Sequence, residues 1–308
     1  MWGTTSHRST PQKGKRLFDE LGRAGVALIS RKQKRGGASR PSIGEVFAMV
    51  FSKTVKATIR SILWRGLNAQ QRRSLRAFFH RKNLSQLAIL FRTDKYGRHY
   101  YTQHYQYHFK SLRRERLNIL EIGIGGFENP KGGGASLRMW QEYFPKSHIF
   151  GIDIYDKTYH DQKRIKTFCG SQIDEVFLKK VIREIGIVDI IIDDGSHYNN
   201  HVITTFKILF PLLSPKGIYV VEDLQTSYWS ELNGINWGGS NDLTAPYTSM
   251  NFFKSLIDGL NYEEFLRDEY TPIYFDKHIV AMHFYHNLIF IYKGSNNEGS
   301  NILGKRYS

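Results

Sequence analysis

Cysteine is all but missing from this chain: Cys169 is its single thiol in 308 residues. That excludes a disulfide framework and a cysteine-rich zinc site, and it fits a reducing compartment. The sequence also lacks any run of about 18 uncharged apolar residues, the length a membrane-spanning helix needs. Met1 to Arg40 contains no apolar core of the kind a secretory signal carries. The expected compartment is therefore the cytoplasm. Acidic residues are scarce at the front: Met1–Arg92 holds 3 Asp and Glu against 20 Lys and Arg, and the remainder holds 25 against 24. The net charge of +16 thus belongs wholly to the first part. A boundary near Arg92 follows, between a basic region, 1–92, and a nearly neutral domain, 93–308.

In the basic region, Met1 to Arg40 is rich in Ser, Gly, Lys and Arg, with RKQKRGGASR at Arg31–Arg40, and is expected to be disordered or loosely helical. Ile43–Trp64 then places Val46, Phe47, Val50, Phe51, Val55 and Ile59 at helical spacing beside Lys53, Lys56 and Arg60. A second helical run, Gln70–Ile89, sets Arg72, Arg73 and Arg76 opposite Leu75, Phe78 and Phe79. Basic amphipathic helices either lie on an anionic membrane surface or pack on the main domain or a partner subunit. Both readings stay open, as peripheral membrane contact through 1–92 or as a homo-oligomer. Base-reading motifs and interleaved aromatics are absent, which argues against nucleic acid.

The chemistry is expected between Val188 and Trp229. Two short β-rich apolar runs, Val188–Ile192 and Ile218–Val221, each end in paired acids, Asp193-Asp194 and Glu222-Asp223. Between them Val202, Phe206, Leu209 and Leu213 mark a helix over Asn200–Leu213, and Ser214-Pro215-Lys216-Gly217 reads as a turn. This β-α-β pattern makes the strands parallel near neighbours, with all four acids at one sheet edge. Carboxylates so gathered repel unless something positive joins them. A hard divalent ion such as Mg²⁺, which takes oxygen ligands, answers that need. His197, three residues after Asp194, stands within reach as a proton acceptor. The plain alternative is that strand-end acids cap the following helices.

Upstream, DKYGRHYYTQHYQYHF at Asp94–Phe109 is dense in Tyr and His. It has no acidic or cysteine partner for a zinc site, and reads as an aromatic helix over a pocket, with Tyr96, His99 and Tyr100 as wall. Leu117–Ile124 is a strand that runs into Gly123-x-Gly125-Gly126, where backbone can approach a ligand closely. Glu121 lies at that strand's end, and Asp153 ends the next strand, His148–Ile154, placed for the two ribose hydroxyls of a nucleoside. A dinucleotide site needs G-x-G-x-x-G opening directly into a helix and an acid about 20 residues on. Here the loop is long, Pro130 interrupts it, and the acid comes 30 residues after Gly123. A nucleoside without phosphates fits better, S-adenosylmethionine above all. Ile165–Phe168 is a third strand leading to Gln172 and Asp174, either of which can hold an adenine edge. Phe177–Ile185 and Pro246–Leu260 read as helices. Ile279–Phe284 and Leu288–Tyr292 form a hairpin that adds an antiparallel strand at the sheet's edge.

Five stretches also carry a resemblance. LEIGIGG at Leu120–Gly126, GGGASLRMW at Gly132–Trp140, FPKSHIFGIDIYDK at Phe144–Lys157, IDDGSH at Ile192–His197 and VVEDLQTSYW at Val220–Trp229 resemble the metal-dependent sugar O-methyltransferases of macrolide biosynthesis, the mycinamicin and macrocin group. The most specific feature is DDGSH followed by Glu-Asp, 28 residues after its second Asp. The resemblance covers about Asp94 to Trp229 and says nothing of the first 92 residues. It implies a class I methyltransferase fold, α/β with a doubly wound, mostly parallel seven-stranded sheet. It implies that Asp194, Glu222 and Asp223 bind Mg²⁺, that His197 is the general base, and that Glu121, Gly123 and Asp153 serve the cofactor. Gly125, Gln172, Asp193 and Tyr96 are counted with the cofactor site, Asp193 as a residue that orients the loop or the cofactor.

The expected function is accordingly methyl transfer from S-adenosylmethionine to a hydroxyl of a sugar or glycosylated acceptor. Two alternatives remain: a metal-dependent glycosyltransferase, and an anionic-surface binding protein with an inactive methyltransferase-like domain.

Overall fold

The computed structural model describes residues 68–266, 269–300 and 302; the expected helix at 43–64 and the basic segment before it lie outside them. The chain divides into two compact units, Met1–Arg72 and Arg73–Ser308, and all the strands among the described residues lie in the second. In place of one helix over Gln70–Ile89 there are two, α1 (Ala69–His80) and α2 (Leu84–Phe91). The break has a local cause. Asn83 takes an extended backbone and its side chain accepts a hydrogen bond from the Gln86 amide at 3.0 Å, which starts a new helix. Leu84, Leu87 and Ala88 of α2 are buried, whereas Phe78 and Phe79 of α1, expected on an apolar face, are exposed.

A seven-stranded sheet forms the centre, in the order Ile165–Cys169, His148–Asp153, Asn118–Ile122, Val188–Asp193, Leu213–Val221, Leu288–Lys293, Ile279–Tyr285. Strands β1 (Asn118–Ile122), β2 (His148–Asp153), β3 (Ile165–Cys169), β4 (Val188–Asp193) and β5 (Leu213–Val221) are parallel. A two-stranded ribbon, β6 (Glu231–Leu232) and β7 (Ile235–Asn236), stands apart. The closing hairpin, β8 (Ile279–Tyr285) and β9 (Leu288–Lys293), joins antiparallel, with β9 against β5 and β8 at the edge.

The near-continuous apolar runs of β4 and β5 are what a parallel strand covered on both faces requires. Ile190 and Ile192 belong to one core cluster with α2, α3 (Thr102–Phe109) and α4 (Ala135–Tyr143). Ile191 belongs to the other, with α5 (Glu175–Ile185) and α6 (Asn199–Leu209). The helix after β4 is shorter than its apolar spacing implies: α6 stops at Leu209 and tightens into a 3-10 turn, Phe210–Leu212, around Pro211. Ser214–Gly217, expected as a turn, is part of β5, where the pairing with β4 shifts register between Val188 and Ile190. Pro215 has no amide to give to a ladder, so a strand can hold it only at such an irregularity. The helix expected over Pro246–Leu260 is confined to α7 (Ser249–Ser255), with a 3-10 stretch at Asp258–Glu264 after it. A last short helix, α8 (Tyr274–His278), precedes the hairpin.

The strand order reverses between β2 and β4, on either side of β1. At such a point the following helices leave to opposite faces and open a crevice at the carboxyl ends of the strands. Ile122 of β1 pairs with Asp193 of β4, and Asp193 pairs with Val221 of β5. The Gly123 turn, Asp194 and Glu222 therefore emerge side by side.

Candidate active site at the carboxyl edge of the sheet

Register alone brings the two acid pairs together, and loop geometry turns them. His197 and Asp223 both adopt the left-handed backbone, at φ 59 and φ 56. Non-glycine residues rarely do so, and such strain collects where a side chain must be aimed. His197 Nε2 lies 3.6 Å from Asp223 Oδ2 and 3.9 Å from Asp194 Oδ1. Among the described residues, Asp194, His197 and Asp223 form a group of potential metal ligands, with one donor atom of each within 4.8 Å of the others.

Glu222, together with Glu121 of β1 and the other oxygen of Asp194, faces a lysine. Lys95 is buried, and its Nζ stands 2.6 Å from Asp194 Oδ2, 2.7 Å from Glu222 Oε1 and 3.3 Å from Glu121 Oε1. Glu222 also accepts a short hydrogen bond from the Tyr105 hydroxyl, and both of its bonds fall on Oε1. Glu222 is thus turned to Lys95 and α3, and is not among the three residues whose donor atoms converge. Glu121 is fully buried and accepts from Ser136 Oγ at 2.7 Å and from Trp140 Nε1 at 3.2 Å.

Electrostatics follow from that packing. Burial opposes charge on Lys95, but Asp194, Glu222 and Glu121 outweigh it and hold the ammonium well above its usual range. Burial pushes Asp194, Glu222 and Glu121 upward, with Lys95 pulling each of them back. Asp223 is the exception. Burial would raise it too, but His197, the Tyr101 hydroxyl, His99 and Lys95 together bring it below the ordinary aspartate value. It is the carboxylate best kept ionised.

The aromatic segment contributes other side chains than those expected. His99 Nδ1 does reach to 3.7 Å from Asp223 Oδ1. Tyr96 and Tyr100 pack edge to face on each other and are exposed. Tyr101 donates to Asp223 Oδ1 at 2.7 Å, and Tyr105 reaches Glu222. Lys95, Tyr101 and Tyr105 were not legible as site residues. Tyr101 and Tyr105 are one helical turn apart, a spacing that puts two hydroxyls on one face, but nothing in a stretch so full of Tyr marks these two.

Around the glycine turn, Gly123 has φ +88, and a Cβ there would stand 1.9 Å from the Asp194 carbonyl oxygen. Gly125, also at positive φ, follows it. Asp153 Oδ2 accepts from the Ile124 amide at 2.9 Å and Oδ1 from the Tyr155 amide at 3.0 Å, so this acid is fixed beside the turn. Gln172 supports the acid loop from behind: it accepts from the Ser196 amide at 2.7 Å and donates to Thr205 Oγ1 at 3.0 Å and Asp193 Oδ1 at 3.3 Å. Asp174, the other residue considered for an adenine edge, caps α5 through the Phe177 amide. Asp193 is buried behind the edge, and burial pushes its carboxyl up to about 7, opposed by the Gly195 amide and helped by the charge of Asp194.

No family model matches the chain. It is 44% identical over 220 residues to the mycinamicin VI 2''-O-methyltransferase of Micromonospora griseorubida, covering 70% of this chain and 54% of that protein. The demethylmacrocin O-methyltransferase of Streptomyces fradiae is 45% identical over 219 residues, with 70% of this chain and 54% of that protein covered. An 8-demethyl-8-alpha-L-rhamnosyl tetracenomycin-C 2'-O-methyltransferase of Streptomyces olivaceus is 42% identical over 214 residues, covering 69% of this chain and 55% of that protein. Among solved structures, the MycE methyltransferase of the mycinamycin biosynthetic pathway, in complex with Mg and SAH, superposes with a TM-score of 0.69 at 44% identity, over 72% of this chain and 57% of that one. The chain spans about half the length of the curated relatives it matches, 54% for the first two.

Proposed function

We propose that this homologue of the sugar O-methyltransferases, a class I methyltransferase in fold, transfers the methyl group of S-adenosylmethionine to a sugar hydroxyl of a glycosylated acceptor, with a divalent cation bound at the sheet edge. The observation that carries the reading is the convergence of Asp194, His197 and Asp223 directly beside the Gly123 turn. The relatives' names and the Mg- and SAH-bound neighbour support it from outside the chain.

The residues fit both groups. Two aspartates offer hard oxygen donors, which suit Mg²⁺, and Asp194 and Asp223 would hold it, with Glu222 as the third carboxylate that the family resemblance implies. The Gly123–Gly125 turn, whose backbone has no Cβ at its closest approach, and Asp153 at the end of β2 would hold the nucleoside. Glu121, Gln172 and Asp193 act behind them, by fixing the strand ends and the acid loop. The cation would supply polarisation of an acceptor hydroxyl, which lowers its pKa toward neutrality.

His197 Nε2 would take the proton from that hydroxyl. The two carboxylates within 4 Å stabilise the imidazolium that forms. Tyr101 keeps Asp223 ionised through that step by donating to Oδ1. His197 has a left-handed backbone, and its Nε2 stands 3.6 and 3.9 Å from the two acids, a position from which it can act as a base. Orienting acceptor and donor in one crevice is the larger part of the acceleration expected from such a site.

The test is calorimetry with S-adenosylmethionine, followed by transfer of a labelled methyl group to a panel of rhamnosides and other glycosides, with Mg²⁺ and with EDTA. Binding of the cofactor and metal-dependent labelling of a glycoside are expected. Undiminished transfer in EDTA, or no cofactor binding, overturns the reading.

A further inference from the structure

Lys95 sits in surroundings that ordinarily belong to a metal ion. Its Nζ is buried and has oxygens of Asp194, Glu222 and Glu121 at 2.6, 2.7 and 3.3 Å. Three carboxylates from three adjacent strand ends, converging on one desolvated point, make a cation position whatever fills it. The ammonium donates hydrogen bonds to Asp194 and Glu222 and stands in ion-pair contact with Glu121. The lysine is held from its own side as well: its amide donates to Thr93 Oγ1 at 3.2 Å, and its carbonyl accepts from the Tyr101 and Thr102 amides at 3.1 and 3.3 Å.

Asp194 faces both ways. Its Oδ2 meets Lys95, while its Oδ1 is the oxygen turned to His197, beside Asp223. One carboxylate with an oxygen at each of two neighbouring cation positions is the bridging arrangement of two-metal sites, whose ions lie about 3.5–4 Å apart. Glu222 uses only Oε1 toward Lys95 and Tyr105.

We propose that the carboxylate array is laid out for two cations and that Lys95 fills one of them with a tethered ammonium, so that the domain holds a single divalent ion, at Asp194, Asp223 and the Glu222 oxygen that is not given to Lys95. The inference rests on the ion site proposed above. A tethered charge gives Glu121 and Glu222 their counter-ion whether or not metal is present. It also keeps Asp194 and Asp223, one from each acid pair of the edge, as the one exchangeable position, next to the base.

The experiment compares wild type, Lys95→Ser and Lys95→Arg by Mn²⁺ titration, read by calorimetry and electron paramagnetic resonance, with melting curves in Mn²⁺ and in EDTA. Serine leaves room for an ion and its waters; arginine keeps the charge. Expected are one Mn²⁺ for wild type and for Lys95→Arg, and two for Lys95→Ser, with the second ion broadening the signal of the first by dipolar coupling. Lys95→Ser should also gain more in melting temperature from Mn²⁺ than wild type does. One ion or none in Lys95→Ser, two in wild type or Lys95→Arg, or a Lys95→Ser chain that does not fold even in saturating Mn²⁺ would overturn the proposal. Wild type that binds no divalent ion at all overturns the underlying ion site instead, which separates the two failures.

Discussion

The α-carbon of Gly123 lies so close to Asp194 that a Cβ on it would stand 1.9 Å from the Asp194 carbonyl oxygen. The Asp194 amide in turn donates to the Ile122 carbonyl at 2.9 Å. The glycine turn after β1 and the acid loop after β4 are therefore one packed unit, and the sides of the crevice proposed for the cofactor and for the ion cannot move independently.

Substitution Gly123→Ala tests that unit. The side chain meets backbone, which cannot swing away, and φ +88 adds its own strain. Strained backbone of this kind costs on the order of 1–3 kcal/mol before any clash is counted. A lower urea midpoint is expected, together with weakened binding of both the cofactor and the divalent ion. Loss of cofactor binding with unchanged metal binding would contradict the coupling.

His197→Gln removes the proposed proton acceptor and keeps a polar side chain of similar reach. Methyl transfer should fall by about 10²–10⁴-fold, the usual worth of a positioned base, with the cofactor affinity unchanged by calorimetry. A variant that keeps most of its turnover at neutral pH assigns the base elsewhere.

Tyr101→Phe deletes the hydroxyl that donates to Asp223 Oδ1 at 2.7 Å. A hydrogen bond to a charged group contributes about 1.5–3 kcal/mol. The expected result at neutral pH is a stability loss within that range in chemical denaturation. The difference from wild type should shrink once the pH falls below the aspartate range, because Asp223 is held down partly by this hydroxyl and loses its charge there in both proteins.

His108 provides a pH dependence away from the acids. Burial first, then the nearby His283 and His104, lowers its pKa from 6.5 to about 4. Its Nδ1 and Nε2 pair with the hydroxyls of Tyr292 and Tyr285 at 2.6 and 2.9 Å. The unfolded chain takes up the proton first, so stability that is full above about 6.5 is lost as pH falls toward 4. His108→Gln should flatten the melting temperature against pH between those values; an unchanged slope would assign the acid sensitivity to other groups.

How much of this was readable in advance varies by element. The parallel strands, the acid pairs at their ends, the Gly123 turn and Asp153 follow from local pattern, because a strand buried on both faces must be apolar throughout and must stop where charge begins. The break at Asn83 and the short α6 were less legible, since helical spacing continues through both and only a cap or a proline decides where the chain leaves the helix.

The sequence by itself determined that four carboxylates would collect at one edge of an α/β sheet, beside a glycine turn suited to a nucleoside, because strand direction and β-α-β handedness leave no other place for them. Only the tertiary structure decided what each carboxylate faces. Lys95 is 99 residues from Asp194 and 127 from Glu222 along the chain, and no periodicity or spacing links residues so far apart. Packing of the segment before α3 over the strand ends brings the ammonium down among the acids, gives Tyr101 and Tyr105 to Asp223 and Glu222, and leaves Asp194 and Asp223 to meet at His197. Charges can be counted from composition, but which of them pair is set by burial, since only where water is excluded must each one find a partner.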